Sequence, residues 1–370
     1  MNFPFRPSVR KMRPYSPGKP IDELARETGH EAIVKLASNE NPLGPSPKAT
    51  QAVAQAAADM HLYPDASGYA VKQALVGHTG LPMEQIVLGN GSDELIAYLG
   101  HLFLHSRDDE IIVGDPSFVR YHATAEFADC TMVRVPLTND LRHDLTAMRS
   151  AVSPRTKLVF IANPNNPTGT IVTRLELDRF LADLPLSVLV VLDEAYFEFA
   201  SGDPTYPNSF DYVRAGKSVI GLRTFSKAYG LAGIRLGYGI GPVEVIDAIE
   251  RSREPFNVNS LAQAAAIAAL ADQDHILRTV ENNHVGMARV VKVLVELGTR
   301  PYPSHANFVY VDIGRPSRPV YEALLRHGVI VRPGDVLGLP EGLRISIGSP
   351  SEVDRLIDAL GAVLATEAVV

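Results

Sequence analysis

Apolar residues along this chain fall into short continuous runs separated by stretches of helical length. Ile86–Leu88, Ile111–Val113, Thr131–Val135, Leu158–Ala162, Val188–Leu192, Val219–Leu222 and Leu236–Gly239 read as strands. Several are apolar at every position rather than at every second one, the pattern of a strand covered on both faces. The segments between them are long enough for helices. The first helix starts at Ser46-Pro47, with serine as cap and proline at the first helical position. The alternation predicts an α/β fold with a mostly parallel, doubly wound sheet.

Near Pro255 the pattern changes. Leu261–Leu270 is apolar on all sides and predicts a buried helix, and Thr279–Leu297 predicts an amphipathic one. Asn307–Asp312, Val329–Val331 and Leu343–Ile347 read as short strands between helical segments, a smaller α+β unit. The first 45 residues hold seven prolines and little periodicity, so they read as an extended arm. The expected division is an arm over 1–45 packing on the small domain, a large ligand-binding domain over 46–255 and a small C-terminal domain over 256–370.

Composition narrows the function. The chain has 370 residues, enough for about two domains, and a net charge of −7 from 35 basic and 42 acidic residues. No overall positive field attracts nucleic acid or acidic lipid, so an anionic ligand needs a local cluster. The single cysteine, Cys130, can form no internal disulfide, which fits a reducing compartment and predicts a cytoplasmic protein. The proline-broken N-terminus has no apolar core of a signal peptide, and no apolar run approaches the roughly 18 residues of a membrane span. The 11 histidines show no ligand-pair spacing, so no metal site is expected.

Candidate chemistry sits in four loops at the carboxyl ends of strands, where open α/β sheets bind ligands. Gly89-Asn90-Gly91-Ser92-Asp93-Glu94 precedes a helix whose N-terminus can hold an anion, though a plain capped turn would look the same. Asn163-Pro164-Asn165-Asn166-Pro167-Thr168-Gly169 is a rigid loop able to aim an asparagine. Asp193 ends an apolar strand, where a carboxylate needs a cation or donors unless it only caps a helix. Thr224-Phe225-Ser226-Lys227-Ala228-Tyr229-Gly230, with Arg235 beyond it, combines two hydroxyls and two cations suited to a phosphate. Most of the nine lysines are solvated surface charges; Lys227 stands out for the small residues beside it. Gly216-Lys217-Ser218 is no P-loop, because Asp211 stands where its first glycine belongs. Together the loops describe an aromatic cation carrying a phosphate and bonded to a lysine. Pyridoxal 5'-phosphate fits, with Asp193 keeping the pyridine nitrogen protonated and Lys227 forming the Schiff base.

With those residues in view, the chain resembles the fold-type-I pyridoxal-phosphate aminotransferases, and within them the histidinol-phosphate aminotransferase family. KLASNENPLGPSP, YPD, GNGSDE, NPNNPTG, LDEAYFEF, TFSKAYGLAGIRLGY, ANF, GVIVRPG and LRISIG occur in that family's order over nearly the whole chain. The resemblance implies that Lys227 bonds the cofactor and shuttles the proton, that Asp193 pairs with the pyridinium, and that Tyr196 and Asn166 bond its phenolic oxygen. It implies that Gly91, Ser92, Asp93, Thr224, Ser226 and Arg235 hold the phosphate and that Phe118 stacks on the ring, where the family often has tyrosine. Tyr63 would reach the phosphate of a neighbouring subunit, which implies a homodimer with shared sites and an arm that also touches the partner. Arg344 would bind the acidic end of each substrate, helped by Arg332, Asn307, Asn41 and Tyr15. The implied reaction moves an amino group from histidinol phosphate to 2-oxoglutarate in histidine biosynthesis. An aromatic amino acid aminotransferase and a threonine-phosphate decarboxylase remain as alternatives, because they share most of these motifs.

Overall fold

The computed structural model describes residues 3–10, 12, 14, 18–30 and 32–364. Its strands are β1 Val34–Lys35, β2 Ile86–Gly89, β3 Glu110–Asp115, β4 Thr131–Pro136, β5 Thr156–Ala162, β6 Leu189–Asp193, β7 Val219–Thr224, β8 Gly237–Ile240, β9 Arg300–Pro301, β10 Phe308–Asp312, β11 Val329–Ile330, β12 Arg332–Pro333 and β13 Gly342–Ser346. Seven of them form one sheet in the order β2-β8-β7-β6-β5-β3-β4. β7, β6, β5, β3 and β4 run parallel, whereas β8 is antiparallel to both its neighbours. The fold is α/β with a mostly parallel sheet.

The continuous apolar runs have a direct cause. Along β5, Leu158, Phe160 and Ala162 face helices Ser92–Phe103 and Val119–Ala128. Val159 and Ile161 face helices Leu145–Ser150 and Arg174–Ala182 on the other side. Each of the larger of these side chains contributes about 2 kcal/mol when fully buried. β4 is one of the two edge strands: half of its residues are exposed and it ends at Pro136, which cannot extend a ladder.

A second, antiparallel sheet has the order β12-β13-β10-β9, and β1 pairs in parallel with β11 beside it. Val34 and Leu36, early in the chain, share a core with Val309, Val329, Leu343 and Leu356. Two placements differ from expectation. Helix Ser260–Leu270 belongs with the large sheet: Ala262, Ala265 and Ala266 pack against Val71, Leu75, Phe225 and Tyr238. Its alanines let it lie close on helices Pro47–Ala56 and Tyr69–Thr79, so the change of pattern near Pro255 marks a turn and not a core boundary. The arm also divides. Leu24, Val34, Leu36 and Ala37 lie with the small unit, but Arg6 donates to the Phe127 carbonyl at 3.2 Å and stacks over its ring at 5.3 Å, on the large-sheet side. The exposed Phe127 ring offers a face to that cation.

His143, buried beneath Gly114, bonds the Ala162 carbonyl through Nε2 at 3.1 Å, while its Nδ1 has no partner among the described residues. Burial pushes this imidazole down to about 4 from its ordinary 6.5. The folded ring therefore resists a proton that the unfolded chain takes up, and stability present at pH 7 is lost as pH falls from about 6.5 to about 4. The loss approaches 3 kcal/mol, at about 1.4 kcal/mol per pH unit. His143→Gln keeps a donor without a titration, so urea unfolding should lose about that much less stability between pH 7 and pH 4. An unchanged acid limb would remove His143 as its source.

Candidate active site

Strand register brings four of the loops to one place. Ala162 pairs with Asp193, Asp193 with Leu222, Thr224 with Gly237, and Gly237 with Gly89. The carboxyl ends of β2, β5, β6 and β7 therefore lie side by side, and the loops that follow them share a cleft.

Asp193 lies at the bottom, 5% exposed. Its Oδ2 accepts the Tyr121 hydroxyl at 2.7 Å and its Oδ1 the Ala195 amide at 3.2 Å. Burial pushes its carboxyl up to about 6, against the pull of the Tyr121 hydroxyl. A carboxylate so placed is poised to receive a cation.

The amine of Lys227 is held at the Ser38 carbonyl, 3.1 Å away, and stands 5.8 Å from the centre of the Tyr196 ring. Burial, and then the Arg344 guanidinium, push its ammonium down to about 8. Asn41 secures the neighbouring backbone. Its amide donates to the Ala228 carbonyl at 2.9 Å and to Thr279 at 3.0 Å, while its oxygen accepts from Leu43.

The third feature is a cup of donors. Helix Ser92–Phe103 starts at Gly91 (φ 77°) with no side-chain cap, so its first amides face outward for an anion. A Cβ at Gly91 would strike the Arg235 guanidinium, and one at Gly237 would strike the Ser92 amide. Arg235 itself has left-handed backbone (φ 61°), and its guanidinium donates to Ser226 at 3.3 Å and lies 3.7 Å from Asp93. Thr224 accepts the Ser226 amide at 3.1 Å, completing the cup.

The opposite wall comes from the small unit. Arg344, 7% exposed, donates to Asn166 Oδ1 and to the Ala37 carbonyl, each at 2.6 Å. Arg332 stands directly across the ladder from it. Asn307 donates to the Asn39 carbonyl at 3.0 Å, and its buried Oδ1 has no partner among the described residues. Asn39, at φ 57°, donates to the Tyr196 hydroxyl at 2.9 Å and is locked by Ser346. Burial pushes the Tyr196 phenol up to about 12. Within the NPNNPTG loop, Asn163 and Asn165 brace the backbone, leaving Asn166 for the cleft.

Phe118 stands at the start of helix Val119–Ala128, edge-on to Tyr121 at 5.8 Å. Tyr63 stands apart from this cluster. It is 83% exposed and stacks on Phe256 at 4.7 Å. Tyr15 lies outside the described residues. Among the described residues, no group of three or more His, Cys, Asp or Glu could hold a metal ion, and no helix is long and apolar enough to cross a membrane.

The family described as aminotransferase class I and II matches residues 31–360. A curated histidinol-phosphate aminotransferase from Moorella thermoacetica is 49% identical over 97% of this chain and 93% of its own. The chain belongs to the histidinol-phosphate aminotransferase family. A second relative of that name, from Akkermansia muciniphila, is 46% identical over 96% of this chain and 97% of its own. Among solved structures, the histidinol-phosphate aminotransferase of Sinorhizobium meliloti in complex with pyridoxal-5'-phosphate has a TM-score of 0.91, 32% identity and 99% coverage of both chains. A Thermus thermophilus aspartate aminotransferase mutant has a TM-score of 0.84 at 25% identity, covering 98% of this chain and 100% of its own.

The residues present fit the cofactor of such aminotransferases. The donor cup suits a dianionic phosphate, the buried Asp193 a heteroaromatic cation, and a partly neutral Lys227 an aldehyde. Sequence reasoning missed three contributors to this aminotransferase site. Asn39 lies inside a quoted motif but looks like any turn asparagine. Tyr121 follows Phe118 at helical spacing, and that spacing was its one signal. Ser38 acts through its carbonyl, which no side-chain pattern reveals.

Proposed function

We propose that this chain transfers the amino group of histidinol phosphate to 2-oxoglutarate, giving imidazole acetol phosphate and glutamate, with pyridoxal 5'-phosphate as cofactor. The observation that carries the substrate reading is the pairing of Arg332 with Arg344 across β12 and β13. Like charges directly opposite in a ladder are unfavourable, and a dianionic substrate group between them offsets the repulsion. Asn307 and Asn166 line the same wall and would orient that group.

When bound, pyridoxal 5'-phosphate supplies the electron sink for loss of a substrate α-proton. Gly91, Ser92, Asp93, Thr224, Ser226 and Arg235 would hold its phosphate. Phe118 would cover its ring, and Tyr196 and Asn166 would bond its phenolic oxygen. Asp193 would keep a negative charge beside the ring nitrogen. Lys227 would bond the cofactor and, once displaced by the incoming amine, accept the α-proton on Nζ and return it. Both half-reactions use the same residues, so one anion-binding arginine, Arg344, would serve the phosphate of the amino donor and a carboxylate of 2-oxoglutarate in turn.

We read the chain as a cytoplasmic homodimer whose arm also meets its partner. Met60, Leu62, Tyr63, Tyr69 and Phe256 are all exposed, Tyr63 stacks on Phe256, and Tyr63 would extend from this side to the partner's phosphate cup. We also take residues 46–255 as the cofactor-binding domain and residues 256–370, with the arm, as the substrate-side unit, helix Ser260–Leu270 excepted.

The deciding measurement compares kcat/KM for histidinol phosphate, phenylalanine and threonine phosphate on one preparation. Histidinol phosphate should lead by at least about 100-fold, the worth of two charge-assisted contacts. A lead for phenylalanine would assign the aromatic aminotransferase reading. Carbon dioxide release from threonine phosphate without 2-oxoglutarate would assign the decarboxylase.

A further inference from the structure

Tyr121 is fully buried on helix Val119–Ala128, yet its phenol is bonded to an ionisable group and not to backbone. Its ring stacks on Phe160 of β5 at 4.6 Å and 18°, which fixes its plane. Its edge meets Phe118 at 5.8 Å and 85°. One side chain therefore touches two residues assigned above to opposite aspects of the cofactor ring, Asp193 at its nitrogen and Phe118 on its face. Among the described residues Asp193 has one other donor, the Ala195 amide at 3.2 Å. The Tyr121 hydroxyl, at 2.7 Å, is the shorter and stronger of the two.

We propose that Tyr121 is a positioning residue for the cofactor, acting through Asp193: its buried hydroxyl holds the carboxylate in one orientation and in its charged form, while its ring edge braces Phe118. This rests on the pyridoxal-phosphate reading above. The chemistry is that of an acceptor-only carboxylate in a dry site. A donor at Oδ2 favours the charged form that a protonated ring nitrogen requires. Without the hydroxyl, burial works on Asp193 with less opposition, and the carboxyl drifts toward its neutral form. The phenol is suited to this task because burial and the neighbouring Asp193 raise it well above its ordinary range, so it donates without losing its proton.

Tyr121→Phe removes the hydroxyl and keeps both ring contacts. The test uses purified full-length protein, stripped of cofactor and titrated with pyridoxal 5'-phosphate, with far-UV circular dichroism as the check on folding. The dissociation constant should rise at least tenfold in Tyr121→Phe, which is about 1.4 kcal/mol. The pH midpoint of the bound cofactor's visible absorbance should also move by more than half a unit. The same comparison in an Asp193→Asn background should differ by less than twofold, because no charge remains for the phenol to act on. An unchanged dissociation constant and midpoint in Tyr121→Phe would overturn the proposal. So would a tenfold loss persisting in the Asp193→Asn background, because it would assign the effect to packing. If Tyr121→Phe fails to fold alone, the Asp193→Asn pair still decides by that persistence. Failure of the wild-type protein to take up pyridoxal 5'-phosphate at all would instead overturn the reading on which the proposal rests.

Discussion

Lys227→Ala should abolish amino transfer, with a loss on the order of 10⁴-fold or more, because the bond to the cofactor and the proton carrier go together. Borohydride should no longer fix cofactor to the chain, although the phosphate cup can still bind it. The reasoning starts from burial. Held at the Ser38 carbonyl and facing Arg344, the Lys227 ammonium lies down at about 8 from an ordinary 10.5. At pH 7 roughly a tenth of it is neutral, about 300 times the fraction of a solvated lysine. Uptake of pyridoxal 5'-phosphate by cofactor-free protein should therefore quicken about tenfold per pH unit below 8 and level off above it. Stopped-flow absorbance from pH 6 to pH 9 reads this profile. Full turnover in Lys227→Ala would end the assignment, and a flat uptake profile would end the argument from burial.

How far these residues were visible in advance depends on what kind of signal each leaves. Asp193 and Lys227 are legible because a charge at the end of an apolar strand, or between small residues, conflicts with its surroundings. The strands themselves are legible because both faces of β5, β6 and β7 are covered, which makes their apolar runs continuous. Helix Ser260–Leu270 shows the limit. Its composition says that it is buried but not against what, and it packs with residues near positions 50, 71 and 225 that only tertiary structure brings close. Asn39 and Asn41 show another. Two asparagines two residues apart in one motif have different tasks: the first meets Tyr196, while the second secures the backbone next to Lys227. Their difference lies in backbone conformation, since Asn39 adopts a left-handed φ of 57° that a sequence does not display. Tyr63 is the converse case. Its motif is clear, but among the described residues it stacks on Phe256 and is otherwise exposed, so the task the resemblance implies would need a second copy.

Asp193→Asn should move activity and stability in opposite directions. Amino transfer should fall on the order of 10³-fold, the scale of losing a preorganised charge at the reacting group. The cofactor-free protein should become more stable. Burial raises this carboxyl to about 6 from an ordinary 3.8, so the folded state favours the protonated form. Stability that the neutral acid has below pH 3.8 is then lost as pH rises through about 6, a cost near 3 kcal/mol at pH 7. Asparagine carries no charge and escapes that cost. It still accepts the Tyr121 hydroxyl, but the Ala195 amide is left facing an NH₂ group, at about 1 kcal/mol. The net gain should be about 2 kcal/mol. Urea unfolding of cofactor-free wild type and Asp193→Asn between pH 4 and pH 8 reads it, with the gap opening as pH rises and holding constant above about 6. A variant destabilised at pH 7 would show that the carboxylate is held by its neighbours as a structural group. A variant stabilised at pH 7 and nearly inactive would show the opposite: a charge that costs the fold stability and stays in place for the cofactor.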